Sequence, residues 1–174
     1  MALAALSGDE QRIVFTQLCN VLDPRVAVAL SSANSGLWEL TQALLQQLRA
    51  DYEAAAALCQ KVGMGGCKEL REARQADWRD KGLIATDLSL LGKLSSVLPA
   101  LEELCLYDSS PGAAGPNGVL RLAAGLGAGA LPAMFNLTVF NMHVGDAGAS
   151  ALAAALNRGA LPRLKGLCLA NAAI

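Results

Sequence analysis

His143 is the only histidine in this 174-residue chain, so any Ser-His-Asp or Cys-His nucleophilic arrangement would have to use it. It lies in Met142-His143-Val144, beside Gly145-Asp146 and just after an apolar alternation, where a solvated loop is expected. The five cysteines, at 19, 59, 67, 105 and 168, are odd in number, widely spaced and never paired as C-x-x-C. With one histidine they make no zinc set, and they read as free thiols in a reducing compartment. Gly63-Met64-Gly65-Gly66-Cys67-Lys68 has glycines ahead of a lysine, as a phosphate loop does. It lacks the G-x-x-x-x-G-K-[ST] spacing and follows a helical pattern, so a helix-stop turn is expected. Residue types and spacings therefore predict no catalytic, metal-binding or cofactor-binding residue, and a non-enzymatic protein.

Charge and composition narrow the class further. Lys and Arg number 14 against 15 Asp and Glu, a net charge of −1, which gives no drive toward nucleic acid or an anionic membrane. Residues 122–145 carry no charge, but Pro132, Asn136, Asn141, His143 and several glycines argue against a membrane span there. MALAALSGDE has no basic start and turns acidic at residue 9, so a signal peptide is not expected. An intracellular protein, cytoplasmic or nuclear with an organelle not excluded, is the expectation. Hydrophobic residues make up 53% of the chain but aromatics only 4%, so Ala, Leu and Gly must fill the core. Small fillers imply short elements stacked at close range.

A repeat supplies such elements. LPALEELCL (98–106), LPAMFNLTV (131–139) and LPRLKGLCL (161–169) begin 33 and then 30 residues apart. Each holds one apolar frame: Leu98, Leu101, Leu104, Leu106; Leu131, Met134, Leu137, Val139; Leu161, Leu164, Leu167, Leu169. The last two positions of each frame alternate, as in a strand. Between copies the period becomes helical, with Val119, Leu122, Ala123, Leu126 and then Ala149, Leu152, Ala153, Leu156 at i, i+3, i+4, i+7. The longer first interval is taken up by the turn-rich Pro111–Pro116. One strand and one helix per 30 or so residues predict a solenoid.

These residues resemble the leucine-rich repeats of the long, ribonuclease-inhibitor-like class over about 98–174, with a half repeat upstream at Leu88, Leu91 and Leu94. The family's Asn position holds Ser109, Met142 and Ala172, and a polar residue stands one place earlier, at Asp108, Asn141 and Asn171. The resemblance implies parallel strands on a concave face. Residues alternating with the buried leucines then form three columns: Glu103, Asn136, Gly166; Cys105, Thr138, Cys168; and Tyr107, Phe140, Ala170. Glu103, Cys105, Tyr107, Asn136, Thr138, Phe140 and Cys168 are the candidate partner-binding residues. Tyr107 and Phe140 are expected about 5 Å apart by strand spacing.

Residues 1–82 show no repeat and read as helices. Ser7 to Glu10 forms a capping-box pattern for a helix to about Leu22, Asp23 as N-cap and Pro24 at N1 start a second, and Ser35 caps a longer third that Gly63 stops. A fourth is expected from Cys67 to Lys81, its mixed charges facing solvent. The bland reading is a cap over the first repeat. However, Leu6, Asp9-Glu10, Ile13, Phe15, Leu18, Leu22-Asp23-Pro24-Arg25, Ala29-Leu30-Ser31, Trp38 and Leu40 resemble an F-box over about 6–45. That implies docking of a ubiquitin-ligase adaptor through Ile13, Phe15, Pro24, Arg25 and Leu30.

The expected architecture is thus α/β: a helical N-terminal region at 1–82, then repeats at 83–174 comprising a half repeat, two full repeats and one incomplete copy. The expected function is protein–protein interaction through the repeat surface. The alternatives are an F-box-type substrate-recognition subunit of a ubiquitin ligase and a small structural subunit of a larger assembly. The apolar Leu169–Ile174 has no following helix to cover it, so the C-terminal edge is expected to be covered by more chain or another subunit.

Overall fold

The computed structural model describes residues 7–32, 35–107 and 114–170, with the backbone alone at 35–37, 40, 115 and 116. Leu6, the 111–113 part of the turn-rich stretch, the side chains of Leu37 and Leu40, and the Asp108, Ser109 and 171–174 positions lie outside the described residues. The chain divides into two compact units, Met1–Ala57 and Leu58–Ile174.

In the first unit, α1 (Gly8–Leu18) opens on the expected capping box. The Glu10 backbone N–H donates to Ser7 Oγ at 3.4 Å, and the Ser7 N–H donates to Glu10 Oε2 at 2.8 Å. The helix ends four residues earlier than expected. Cys19 is extended, and the Asn20 side chain accepts the Leu22 N–H at 2.9 Å, a local turn that competes with further helix. The N-cap of α2 (Arg25–Ser31) is Pro24, one place later than the expected Asp23, and both Asp23 carboxylate oxygens accept from Arg25, at 2.7 and 2.8 Å. Phe15, Ala27, Leu45 and Leu48 form a buried cluster, the last two from the long α3 (Ser35–Val62). Beside it the hydroxyls of Ser31 and Thr41 meet at 2.6 Å, so neither is buried unpaired.

In the second unit α3 stops at Gly63 as expected. The Gly63 N–H donates to Gln60 O and the Met64 N–H to Cys59 O, the two bonds of a Schellman ending. The expected helix from Cys67 to Lys81 is a correction. α4 covers only Cys67–Glu72, and Gln75–Arg79 is a strand, β1. Its residues alternate exposed and buried, with Ala76 and Trp78 inward and Gln75, Asp77 and Arg79 outward. Burying the Trp78 ring and forming a backbone ladder outweigh the helical bias of the charged residues around it. The 1–82 region is therefore not wholly helical.

β1 pairs in parallel with β2 (Glu103–Tyr107), β2 with β3 (Asn136–Phe140) and β3 with β4 (Gly166–Ala170), in the order β1-β2-β3-β4. Each of the last three strands starts five residues after its Leu-Pro. The intervening helices are α5 (Ala85–Leu94, continued by a 3-10 turn at Ser95–Val97), α6 (Gly115–Gly125) and α7 (Gly145–Asn157). Right-handed crossovers between successive neighbours put all three helices on one side of the sheet. α6 packs on both α5 and α7. Gly92 and Gly125 permit the first contact, since a Cβ on Gly125 would lie 2.6 Å from the Gly92 carbonyl carbon.

The strand entrances share one hydrogen-bond pattern. Arg74 O accepts the N–H groups of Glu102 and Glu103, Glu102 O those of Phe135 and Asn136, and Phe135 O those of Lys165 and Gly166. Asn141 after β3 takes the left-handed conformation, φ +55, and donates to Ala170 O; Asp80 after β1 does the same toward Tyr107 O. The core follows the apolar frame: Leu88, Leu91, Leu94, Leu104, Leu106, Leu137 and Val139 are buried, as are Val119, Leu122, Ala123 and Leu126. α7 departs from its expected stripe. Gly148, Leu152 and Ala155 are buried, Ala149 and Leu156 half-buried, and Ala153 exposed, because α7 has a neighbouring helix only on its α6 side among the described residues.

Candidate interaction surface

The side of the sheet away from the helices carries the side chains that alternate with the core. Register sets them in three rows. Gln75, Glu103, Asn136 and Gly166 form the first, Asp77, Cys105, Thr138 and Cys168 the second, and Arg79, Tyr107, Phe140 and Ala170 the third. All seven partner-binding candidates chosen from the sequence fall on this face, in the columns their spacing predicted. β1 adds Gln75, Asp77 and Arg79, which the helical reading of 67–81 missed. The signal available was Gln-Ala-Asp-Trp-Arg, a five-residue polar/apolar alternation just ahead of a turn at Gly82.

The rows differ in chemistry. In the third, the Tyr107 and Phe140 rings stack with centroids 5.4 Å apart and planes 25° apart, both half-buried. The first is a polar ladder. Gln75 Nε2 donates to Glu103 Oε1 at 3.2 Å. Gly166 leaves room for the next member, because a Cβ there would come 2.8 Å from Asn136 Oδ1. In the second and third rows of β1, the Arg79 guanidinium grips both Asp77 oxygens, with Nε at 2.8 and 2.9 Å and Nη2 in a further contact. This hydrogen bonding holds the Asp77 carboxyl below its usual range and the Arg79 guanidinium above its own. Gln75, Asp77, Arg79, Glu103, Asn136 and Thr138 line a shallow groove of about 240 Å³.

Burial, reinforced by the nearby Asp77 charge, pushes the half-buried Cys105 thiol up, so it is a neutral group on this face. Cys168 lies two strands away across Thr138, about 9.6 Å by strand spacing and too far for a disulfide. Cys59 and Cys67 are buried beneath the α3–α4 turn, with the Cys59 thiol pushed up to about 12, first by desolvation. His143 is exposed after β3. Among the described residues no group of His, Cys, Asp or Glu is arranged to hold a metal, and no helix is long and apolar enough to cross a membrane.

The five adaptor-docking candidates do not share one surface. Ile13 is 62% exposed and the Arg25 side chain faces solvent, while Phe15 is fully buried and Leu30 packs against the same cluster; Pro24 is half-buried. Compared with known proteins, the chain matches no family model, and no curated protein or solved structure matches it significantly.

Proposed function

We propose that this chain is a non-enzymatic protein-interaction module, a helical region followed by a short solenoid of leucine-rich-type repeats, holding a protein partner on the uncovered face of the sheet. The Tyr107–Phe140 stack carries the reading: two half-buried aromatic rings sit side by side on the face of the sheet opposite α5, α6 and α7. Aromatic side chains on rigid strands are effective binding anchors because they lose little conformational freedom on contact. The recurring strand-entrance hydrogen bonds, at the spacing of the sequence repeat, support the solenoid part of the reading.

The test is a binding comparison between the native chain and Tyr107→Ala/Phe140→Ala, using a partner recovered on the native chain and then purified. Loss of both rings should weaken binding by about 2–4 kcal/mol. Stability should fall only by about the 0.5–1.5 kcal/mol of an aromatic pair. Unchanged affinity overturns the reading.

A second reading has its own observation. In the first unit Ile13, Leu18, Val26 and Trp38 are 62%, 42%, 54% and 45% exposed, apolar surface that an F-box-type adaptor would cover. Titration of the folded chain with a purified ubiquitin-ligase adaptor tests this, with Ile13→Asp as the disrupting variant. Absence of binding at high micromolar concentration leaves the cap alone.

A further inference from the structure

We propose that the segment bound on the uncovered face is basic and aromatic: an ammonium or guanidinium group enters the groove against Glu103, and an aromatic or long aliphatic side chain lies on the Tyr107–Phe140 stack. The proposal rests on the open-face reading and adds the chemistry of the partner. Three charged side chains line the groove, Asp77, Arg79 and Glu103. Arg79 is committed to Asp77 through both carboxylate oxygens, so that pair presents little net charge. Glu103 is met, among the described residues, by the neutral Gln75 amide. An amide does not neutralise a carboxylate, so the groove keeps one net negative charge. An incoming anion would meet Glu103, and the only guanidinium in the groove is already engaged. A cation gains from the same arrangement.

The neutral groups complete the cation site. An ammonium has three N–H donors and no acceptor. Glu103, the Asn136 side-chain oxygen and the Thr138 hydroxyl are acceptors on adjacent strands, in the first two rows of the face. The stack lies at the other end of the same strands. From Glu103 to Tyr107 is four residues, about 13 Å at the rise of a strand. An extended segment therefore reaches both sites when its basic and aromatic residues are about four positions apart.

Selection of random twelve-residue displayed peptides on the folded chain, followed by affinity measurement of the enriched peptides, tests the proposal. Lys or Arg should be enriched three to five positions from an aromatic residue. Glu103→Gln should weaken such a peptide about tenfold at low salt, and the deficit should shrink in about 0.5 M salt as screening removes the native advantage. Arg79→Gln, which releases the Asp77 carboxylate, should strengthen it several-fold, a gain that misfolding cannot mimic. Peptides that need Phe140 but are indifferent to Glu103→Gln and Arg79→Gln, or that are acidic, overturn the basic chemistry and leave the open-face reading standing. Failure to enrich any peptide sensitive to Phe140→Ala overturns both.

Discussion

Leu137 and Leu167 are register partners on adjacent strands, yet Leu137 is 2% exposed and Leu167 40%. The sequence gives them the same place in the repeat, and the difference comes from neighbours. Leu137 lies between two strands and below a helix layer, whereas β4 is the last strand of the sheet among the described residues. The same contrast separates buried Ala123 from exposed Ala153 and buried Leu126 from half-buried Leu156.

Equivalent substitutions at the two leucines should therefore differ in cost. Leu137→Ala removes a buried side chain and leaves a cavity, about 2–5 kcal/mol. Leu167→Ala should cost about 1 kcal/mol or less, because much of that side chain is already hydrated. Denaturant unfolding of the two variants measures both. Equal losses would mean that the β4 edge is as well covered as the sheet centre.

Helix spacing in the second unit depends on the pair Gly92 and Gly125. Gly125→Ala places a methyl 2.6 Å from the Gly92 carbonyl carbon, against backbone that has no rotamer to move. A cost of about 1–3 kcal/mol is expected as α5 and α6 separate. Gly127→Ala is the control, since a Cβ there meets nothing within 4 Å. It should stay within about 0.5 kcal/mol of the native chain in thermal melts.

Thiol reactivity should divide by burial. In the native chain at pH 8, exposed Cys168 should react with iodoacetamide first, and buried Cys59 and Cys67 only after unfolding. The raised Cys59 thiol also fixes a pH dependence. Its folded value is about 12 and its ordinary value 9.0, so the folded state holds the proton more tightly. That contribution is fully present below pH 9 and is lost as pH rises toward 12, where the unfolded chain ionises first. Cys59→Ala should flatten the alkaline fall in stability, apart from whatever packing it loses.

The second half of the chain was more legible in sequence than the first. A fixed apolar frame with a Leu-Pro start located β2, β3 and β4, and alternation then assigned each side chain to a face. That alternation is enough to place Tyr107 beside Phe140. β1 escaped because it has no Leu-Pro start and its Asp77 and Arg79 read as part of a charged helix face; only pairing with β2 makes it a strand. The Asp23-Pro24 pattern locates the start of α2 only to within one residue, because Pro24 rather than Asp23 takes the cap position. Among the adaptor candidates, Ile13 and Phe15 are two positions apart on α1, about 200° around the helix axis, so they face opposite ways, and Phe15 is core.

Site-specific photocrosslinking at position 140 shows whether a partner sits on the Tyr107–Phe140 face. A photoreactive phenylalanine analogue at Phe140 preserves the ring beside Tyr107, and the same analogue at exposed Ala124 on α6 serves as the control. In extract from cells producing the protein, a discrete protein adduct is expected from position 140. That adduct should be lost on Tyr107→Ala, and position 124 should not yield it. An identical adduct pattern from both positions, or none from 140 while 124 crosslinks, would contradict a partner held on the uncovered face of the sheet.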